Sequence, residues 1–306
     1  MKYSKIGGQA VMEGIMMKNE NQYAVAVRKP DSEIEVEVFQ YKGIVKNEKI
    51  RNLPLLRGVF SFIESLVIGM GALTFSASFF EEEEQEGEKE KRKDPKKEKK
   101  KEDFAMALTV AFSVVLAVGI FILLPYGISL IFQRYISSHI VISLLEGVLR
   151  LLIFIGYVAG ISLMPDIKRV YMYHGAEHKC INCVEHGMEL TVENVRKSSK
   201  QHKRCGTSFL LLVMLISILL FMFIYVESRW LRLLLRLLLI PVIAGISYEF
   251  IRLAGRKDNG FVNVLSKPGL MLQKITTREP EDSMIEVGIA SVEAVFDWRS
   301  FLKENF

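Results

Sequence analysis

The chain has 306 residues and a net charge of +5, and half of its residues are hydrophobic. The hydrophobic residues are gathered in blocks of about twenty, the length that a helix needs to cross a bilayer. Because the positive charges lie beside these blocks, they indicate membrane anchoring and speak against nucleic-acid binding. Three cysteines, an odd number, speak against a disulfide framework and suit a reducing compartment.

Residues 1–53 are predicted to form a small β-rich region. Tyr23–Arg28 and Ile34–Phe39 alternate apolar and polar side chains on either side of a proline-containing turn, a pattern that predicts a β-hairpin. The preceding segment, GGQAVMEGIMM, is expected to form a turn and an edge strand. Its polar residues Gln9 and Glu13 have no role that the sequence alone assigns.

The segment 54–80 is predicted to be a membrane-associated helix. Pro54 suits its first turn, and its apolar part, Leu66–Phe80, is only about fifteen residues long. We therefore expect this helix to lie on the membrane or dip into it, with a true span as the alternative. Residues 81–103 are almost entirely charged and are predicted to be a disordered linker.

Four transmembrane helices are predicted, two within 104–164 and two within 208–253. The basic linker and the polar intervals 165–207 and 254–306 are expected on the cytoplasmic side, and the N-terminus joins them there if the helix at 54–80 does not span. An amphipathic helix, Glu281–Trp298, is expected to pack on the cytoplasmic domain. The predicted fold is thus a mainly α membrane protein with a small β-rich N-terminal region and a helical cytoplasmic insert.

Charged residues occur inside two of the predicted spans. Glu146 and Arg150 lie four residues apart in the second span, at the same expected depth as Arg229, just before the fourth span, and Arg232 and Arg236, within it. Charges within a membrane are candidates for function. These residues lie close to helix ends, so pairing between helices near the outer surface is the favoured interpretation.

The polar interval 165–207 contains four of the five histidines and all three cysteines. A helix is expected over Asp166–His186, and His174, Glu177 and His178 interrupt its apolar stripe. Histidines four residues apart lie on one helix face, roughly 5–6 Å apart at Cβ, so both can bind one metal ion. A buried polar face satisfied by hydrogen bonds is the alternative.

The string HGAEH at 174–178 has the H-x-x-E-H arrangement of reversed zincins. In that chemistry the metal lowers the pKa of a water molecule and the glutamate accepts its proton. Glu177 is therefore the predicted catalytic base.

A second helix is expected to begin at Thr191 and to continue up to the third span. His202 and Cys205 would then lie three residues apart on one helix face. His202 is the predicted third ligand, Cys205 is a reserve ligand, and Glu185 and Glu249 are further candidates. Histidine with carboxylate suits a divalent metal, zinc first, with iron or manganese as alternatives.

A competing arrangement pairs Cys180 and Cys183 with His202 and Cys205, at nearly the spacing of a zinc ribbon. Such a site would be a closed, structural one. The cysteine pair falls in the middle of a predicted helix, whereas ribbon cysteines usually lie on a turn. The ribbon would also leave the two inward-facing histidines unused.

Seven segments carry a resemblance to a known family: GGQAVMEGIMM (7–17), AVAVRKP (24–30), LPLLRGVFSFIESLVIGMGAL (53–73), YHGAEHK (173–179), ELTVENVR (189–196), HKRCGTSF (202–209) and KPGLMLQKITTREP (267–280). Through them most of the chain resembles the YqhQ-like bacterial membrane proteins, which are labelled predicted metal-dependent enzymes. The resemblance implies a multi-pass membrane protein with a metal site at His174, Glu177, His178 and His202. It leaves the cysteine pair outside the family pattern.

Three functions fit these features. The preferred one is a membrane-embedded, metal-dependent hydrolase with peptidase-like chemistry at the cytoplasmic membrane face, where three protein ligands leave an open coordination position. The second is a non-catalytic metal-binding membrane protein, such as a sensor, a transporter component or an assembly factor. The third is a scaffold whose polar residues only join helices. The lipid bilayer is the one partner that the sequence predicts.

Overall fold

The computed structural model describes residues 2–45, 47–51, 53–85, 95–224, 226, 228–256 and 260–306. The strands are β1 (Gly7–Val11), β2 (Gly14–Asn19), β3 (Gln22–Arg28) and β4 (Ile34–Gln40). The helices are α1 (Glu48–Arg51), α2 (Leu56–Gln85), α3 (Pro95–Val118), α4 (Leu124–Phe132), α5 (His139–Ile161), α6 (Pro165–Glu185), α7 (Val192–Lys197), α8 (Gly206–Phe223), α9 (Arg229–Leu238), α10 (Ile240–Arg256), α11 (Gly260–Thr276), α12 (Asp282–Val295) and α13 (Trp298–Asn305).

The chain divides into two compact units. The first comprises Met1–Phe80, Val158–Val213 and Leu237–Phe306, and the second comprises Glu81–Tyr157 and Met214–Arg236. The first unit contains the sheet and the residues of the predicted site.

The sheet is antiparallel throughout, with the strand order β1-β2-β3-β4. The predicted hairpin is confirmed, since β3 pairs with β4. The segment before it forms a second hairpin in which β1 is an edge strand, as expected. Its turn contains Glu13, which adopts a φ of +47°.

Helices cover both faces of the sheet in the first unit, so the central strands are apolar on both sides. On one face, Ile15 and Ala24 belong to a core shared with α6 and α12. On the other face, Met16 and Val25 pack with Ile68 of α2. The alternation of side chains along a strand assigns neighbouring residues to opposite faces.

Within the described residues, five helices are long and apolar enough to cross a membrane: Leu56–Phe80, Phe104–Phe132, His139–Ile161, Gly206–Phe223 and Trp230–Gly255. The four predicted spans are among them. By length and composition the count is five rather than four, because the helix predicted as membrane-associated also qualifies. Its apolar run begins at Leu56, and Arg57 and Glu64 are its only charged residues.

The charged segment 81–103 departs from its prediction. Residues 81–85 continue α2, and residues 95–103 form the beginning of α3, so both stretches are helical rather than disordered. Residues 86–94 lie outside the described part of the chain. Glutamate and lysine have high helix propensity, and an apolar helix that is already nucleated can propagate into them.

The C-terminal segment is more helical than predicted. The amphipathic pattern corresponds to α12, which packs on β2, β3 and α6. This helix ends before Asp297, whose side chain accepts a hydrogen bond from the backbone N–H of Ser300 at 3.0 Å and caps α13. Helix α11 is not among the predicted elements, and it contains Pro268, a residue that disfavours a helix interior.

Candidate metal site

Helix α6 carries the HGAEH string in its middle. The chain leaves the helix at Gly187, which adopts a φ of +81°, a conformation that glycine enters without strain. His174 and His178 lie one turn apart with their ring centroids 4.4 Å from each other. The spacing of four residues therefore places both imidazoles side by side, as the sequence predicts.

Backbone carbonyl groups fix the orientation of both rings. His174 Nδ1 lies 2.8 Å from the carbonyl oxygen of Thr276, and His178 Nδ1 lies 2.7 Å from that of Lys200. Each Nδ1 therefore donates a hydrogen bond to a carbonyl group, and each Nε2 faces the other direction, where it can bind a metal ion once it has lost its own proton. Histidines that bind metal ions are held in this way by a partner on the other ring nitrogen.

The third donor beside the two rings is Cys205. Its Sγ lies 3.3 Å from His174 Nε2. Donor atoms of His174, His178 and Cys205 all lie within 4.8 Å of one another, with His178 and Cys205 buried and His174 partly exposed. Two imidazoles and one thiol form a donor set that suits zinc and leaves one tetrahedral position for another ligand.

The three side chains also polarise one another. Burial alone would raise the pKa of Cys205, but the positive charges of His174 and His178 lower that pKa well below its ordinary value. Burial alone would lower the pKa of His178, but the negative charges of Cys205 and Glu177 outweigh this effect and raise that pKa to about 9. The site therefore favours a thiolate, which is the form of cysteine that binds metals.

His202 lies nearby but does not join the three donors. Its ring centroid is 5.7 Å from that of His178, and its Nε2 is 3.5 Å from a carboxylate oxygen of Glu185. The side chain of Gln273 binds both the backbone N–H and the carbonyl of His202 at 2.8 Å. The structure thus brings the reserve ligand Cys205, rather than His202, next to the histidine pair.

His202 and Cys205 do not share a helix face because residues 198–205 do not form a helix. Thr191 caps α7 as predicted, but the helix ends after six residues. Lys179 and Asn182 of α6 donate hydrogen bonds of 2.6–3.0 Å to four carbonyl groups within residues 196–201. These carbonyls would otherwise accept helical hydrogen bonds. The expected helical spacing of His202 and Cys205 is therefore wrong.

Glu185, a further ligand candidate, is fully buried and is already bonded. Its carboxylate accepts hydrogen bonds from the backbone N–H and the hydroxyl of Ser4, at 2.9 and 2.7 Å, and from Arg204 at 2.6 Å. Burial alone would raise the pKa of Glu185, but the hydrogen bond from His202 and the charge of Arg204 lower it to about 2. The other candidate, Glu249, forms an ion pair with Arg57.

Glu177 is buried next to the donors. Its carboxylate lies 3.4 Å from His178 Nε2. The backbone of β1 runs directly past it, since a Cβ atom at Gly8 would lie 2.7 Å from Glu177 Cγ. Glycine at this position leaves the room that the close approach of the strand requires.

The two polar residues of the first hairpin lie apart from the donors. Glu13 forms an ion pair with Arg169 and accepts a hydrogen bond from the hydroxyl of Tyr173 at 3.1 Å. Both partners belong to α6, so Glu13 ties the first hairpin to the helix that carries the histidines. Gln9 contacts Gly69 of α2.

Cys180 and Cys183 lie in the core between α6, α12 and the sheet. Cys180 is packed against Gly288, and Cys183 Sγ lies 3.3 Å from the carbonyl oxygen of Glu189. Burial raises the pKa of Cys183 to about 11, which favours the neutral thiol. Neither belongs to the donor group found in the described residues, so the zinc-ribbon arrangement is not formed there.

The fold and the site define a helical protein of membrane type with a buried histidine and cysteine cluster beside a glutamate. The chain belongs to the family described as "Protein of unknown function (DUF1385)", whose model matches residues 53–298. It is 33% identical over 300 residues to "Uncharacterized protein YqhQ" of Bacillus subtilis (strain 168), an alignment that covers 98% of this chain and 94% of that protein. The resemblance to YqhQ-like proteins is thereby confirmed. No solved structure matches the chain.

Proposed function

We propose that this protein is a membrane-embedded, metal-dependent hydrolase with His174, His178 and Cys205 as ligands of one divalent metal. The observation that carries the proposal is the convergence of their three donor atoms within 4.8 Å, on rings whose Nδ1 atoms are each held by a carbonyl. Prior fixation of ligand orientation is what metal sites require of their surroundings. The thiolate and two imidazoles favour zinc over the harder manganese.

Glu177 is the proposed proton acceptor. When bound, a zinc ion supplies a Lewis acid and lowers the pKa of water toward about 7. Glu177 is placed next to His178, so its carboxylate is in position to take the proton and to pass it to a leaving group. Its burial excludes bulk water, which strengthens each electrostatic interaction in the site.

The ligand set predicts a specific pattern of metal loss. Full-length protein in nanodiscs, analysed by element-specific mass spectrometry, is expected to retain about one metal ion per chain. His178→Ala and Cys205→Ser are expected to lose it, because removing one of three ligands removes a large part of the binding free energy. His202→Ala is expected to keep it, since His202 faces Glu185.

His186→Ala is the matched control, because His186 is an exposed histidine at the C-terminal end of the same helix. A metal-free wild-type protein would favour the scaffold function. Loss of metal in His202→Ala with retention in Cys205→Ser would restore the ligand set predicted from the sequence.

Catalysis is tested separately from metal binding. The metal-loaded protein in nanodiscs is incubated with a mixture of peptides, and cleavage is followed by mass spectrometry. Glu177→Gln is expected to keep the metal and to lower cleavage by a factor of about 10²–10⁴, as loss of a general base does. Equal cleavage by wild type and Glu177→Gln would refute the role of Glu177.

A non-catalytic metal-binding function is the second candidate, and burial favours it. Glu177 is 4% exposed, His178 1% and Cys205 5%, so His174 offers the open side of the site. An enclosed ion suits a sensor or an assembly factor. This function predicts bound metal without cleavage, together with a tolerated Glu177→Gln.

The membrane arrangement that accompanies this proposal leaves α2 on the cytoplasmic surface. Its second half packs on the charged sheet through Ile68 and Ala72, and a sheet of this kind does not fit inside a bilayer. Its opposite face carries exposed apolar residues suited to the lipid surface, namely Ile63, Leu66, Val67, Met70 and Leu73. The N-terminus, the metal site and the C-terminal helices then share the cytoplasmic side with the sheet.

A further inference from the structure

Two arginines and one glutamate are buried together in the second unit. Glu146 is 2% exposed, Arg150 8% and Arg236 6%. Arg150 Nη2 donates to Glu146 Oε1 at 3.0 Å, and Arg236 Nη1 donates to the same oxygen. The favoured sequence interpretation, pairing between helices, thus describes the contacts. It does not balance the charge, because two guanidinium groups and one carboxylate sum to +1.

The neighbours of this cluster are polar or aromatic and carry no charge. Ser217 Oγ accepts from Arg150 Nη1 at 3.2 Å. The Phe221 ring lies against both guanidinium groups, with its centroid 6.0 Å from Arg150 Cζ and 5.3 Å from Arg236 Cζ. Among the acidic side chains described within 104–157 and 214–236, Glu146 stands alone. These contacts stabilise both guanidinium groups, but they leave one of the two positive charges without a compensating negative charge.

Arg150 also has unused donor capacity. Its Nε is buried and has no hydrogen-bond partner in the part of the chain that the structure describes. A guanidinium group offers five donors, and burial of an unpaired one is costly. An anion bound here would accept a hydrogen bond from this donor and would also neutralise the surplus positive charge.

The depth of the cluster makes the surplus charge significant. Glu146 and Arg150 follow the first residue of α5, His139, by seven and eleven positions. At a rise of 1.5 Å per residue they lie roughly 10 and 16 Å from that helix end. A span of this length places them within the hydrocarbon thickness, where unpaired charges are rare and mark binding or transport pathways.

We propose that Arg150 and Arg236 bind a monovalent anion in this buried cluster. Glu146 accepts a hydrogen bond from each guanidinium group and so holds the two side chains next to each other. The single surplus charge sets the preference for one negative charge. Chloride and the phosphodiester of an anionic lipid share this chemistry. The site is separate from the proposed metal site and does not depend on it.

The test uses full-length protein in phosphatidylcholine nanodiscs in a gluconate buffer. In one arm chloride replaces gluconate at constant ionic strength, and in the other phosphatidylglycerol is added to the bilayer without chloride. At a hundredfold excess over the dissociation constant, the bound anion is expected to raise the unfolding temperature by on the order of 5 °C. The arm that responds identifies the source of the anion.

Arg150→Gln is expected to abolish the response, whereas the control Arg134→Gln, an exposed arginine in the same unit, is expected to keep it. Glu146→Gln removes the competing negative charge, so the half-saturating anion concentration should fall about tenfold. A purely structural cluster predicts no anion dependence in any variant. The proposal is overturned if neither arm shifts the wild type, or if Arg150→Gln responds equally.

Should Arg150→Gln fail to fold, Glu146→Gln decides. An unchanged half-saturating concentration in that variant overturns the proposal, and a lowered one supports it.

Discussion

Replacing Gly175 with alanine is expected to destabilise the protein by about 1–2 kcal/mol or more and to weaken metal binding. A Cβ atom at this position would lie 2.0 Å from the carbonyl oxygen of Arg278. That oxygen is a backbone atom, so it cannot turn away as a flexible side chain could. The segment after α11 crosses α6 here and is held to it by a hydrogen bond of 2.9 Å from the N–H of Arg278 to the carbonyl of Tyr171. The crossing segment or the helix must therefore move.

Alanine favours a helix by about 1 kcal/mol over glycine, so propensity alone predicts the opposite sign. The clash decides, because overpacking against a rigid backbone costs about 1–3 kcal/mol or more. Two residues before Arg278, at the end of α11, Thr276 supplies the carbonyl that orients His174. Displacement of such a supporting group typically lowers metal affinity by about 10–100-fold.

The measurements are thermal unfolding of the full chain in nanodiscs and metal affinity by competition with a chelator. Gly160→Ala is the matched control, because no atom lies within 4 Å of the added methyl group in helix α5. That control is expected to be neutral or slightly stabilising. A Gly175→Ala protein as stable as Gly160→Ala, with unchanged metal affinity, would show that the crossing segment adapts freely.

Local spacing explains what the sequence predicts well in this site. Positions four apart share a helix face whatever the rest of the chain does, so His174 and His178 were placed side by side correctly. The cap at Thr191 is equally local, since its side chain accepts from the N–H of Asn194. The alternating pattern of β3 and β4 likewise depends only on neighbouring residues.

Long-range contacts explain what the sequence does not predict. The loop that delivers Cys205 is fixed by Lys179 and Asn182, side chains that precede it by some twenty positions in the chain. No local pattern indicates that these groups would capture its carbonyls and prevent a helix. Gly8 beside Glu177 is a similar case, because only the fold shows that the glutamate side chain occupies the space beside this glycine.

Glu185→Gln is expected to lower the free energy of unfolding by about 3 kcal/mol at neutral pH. The folded protein holds the pKa of Glu185 at about 2, against an ordinary value of 4.5. Each unit of pKa difference corresponds to about 1.4 kcal/mol. The glutamine cannot provide a negative charge opposite the buried Arg204, and it cannot accept as strongly from Ser4.

The pH dependence follows from the direction of this shift. A carboxyl whose pKa is lower in the folded state stabilises the fold fully above its unfolded pKa and loses this contribution as the pH falls through the folded one. The wild type should therefore exceed Glu185→Gln in unfolding temperature at pH 7, and the difference should shrink between about pH 4.5 and pH 2. Scanning calorimetry or fluorimetry of both proteins in nanodiscs measures this difference.

Glu189→Gln serves as the control, because this exposed glutamate follows four positions later and lies outside the buried network. Its unfolding temperature should match that of the wild type across the same pH range. Because Glu185 joins the N-terminal segment to the end of α6 and to the loop that carries Cys205, loss of its charge should also loosen the metal site. A Glu185→Gln protein that unfolds at the wild-type temperature at pH 7 would mean that Ser4 and Arg204 are satisfied without the carboxylate.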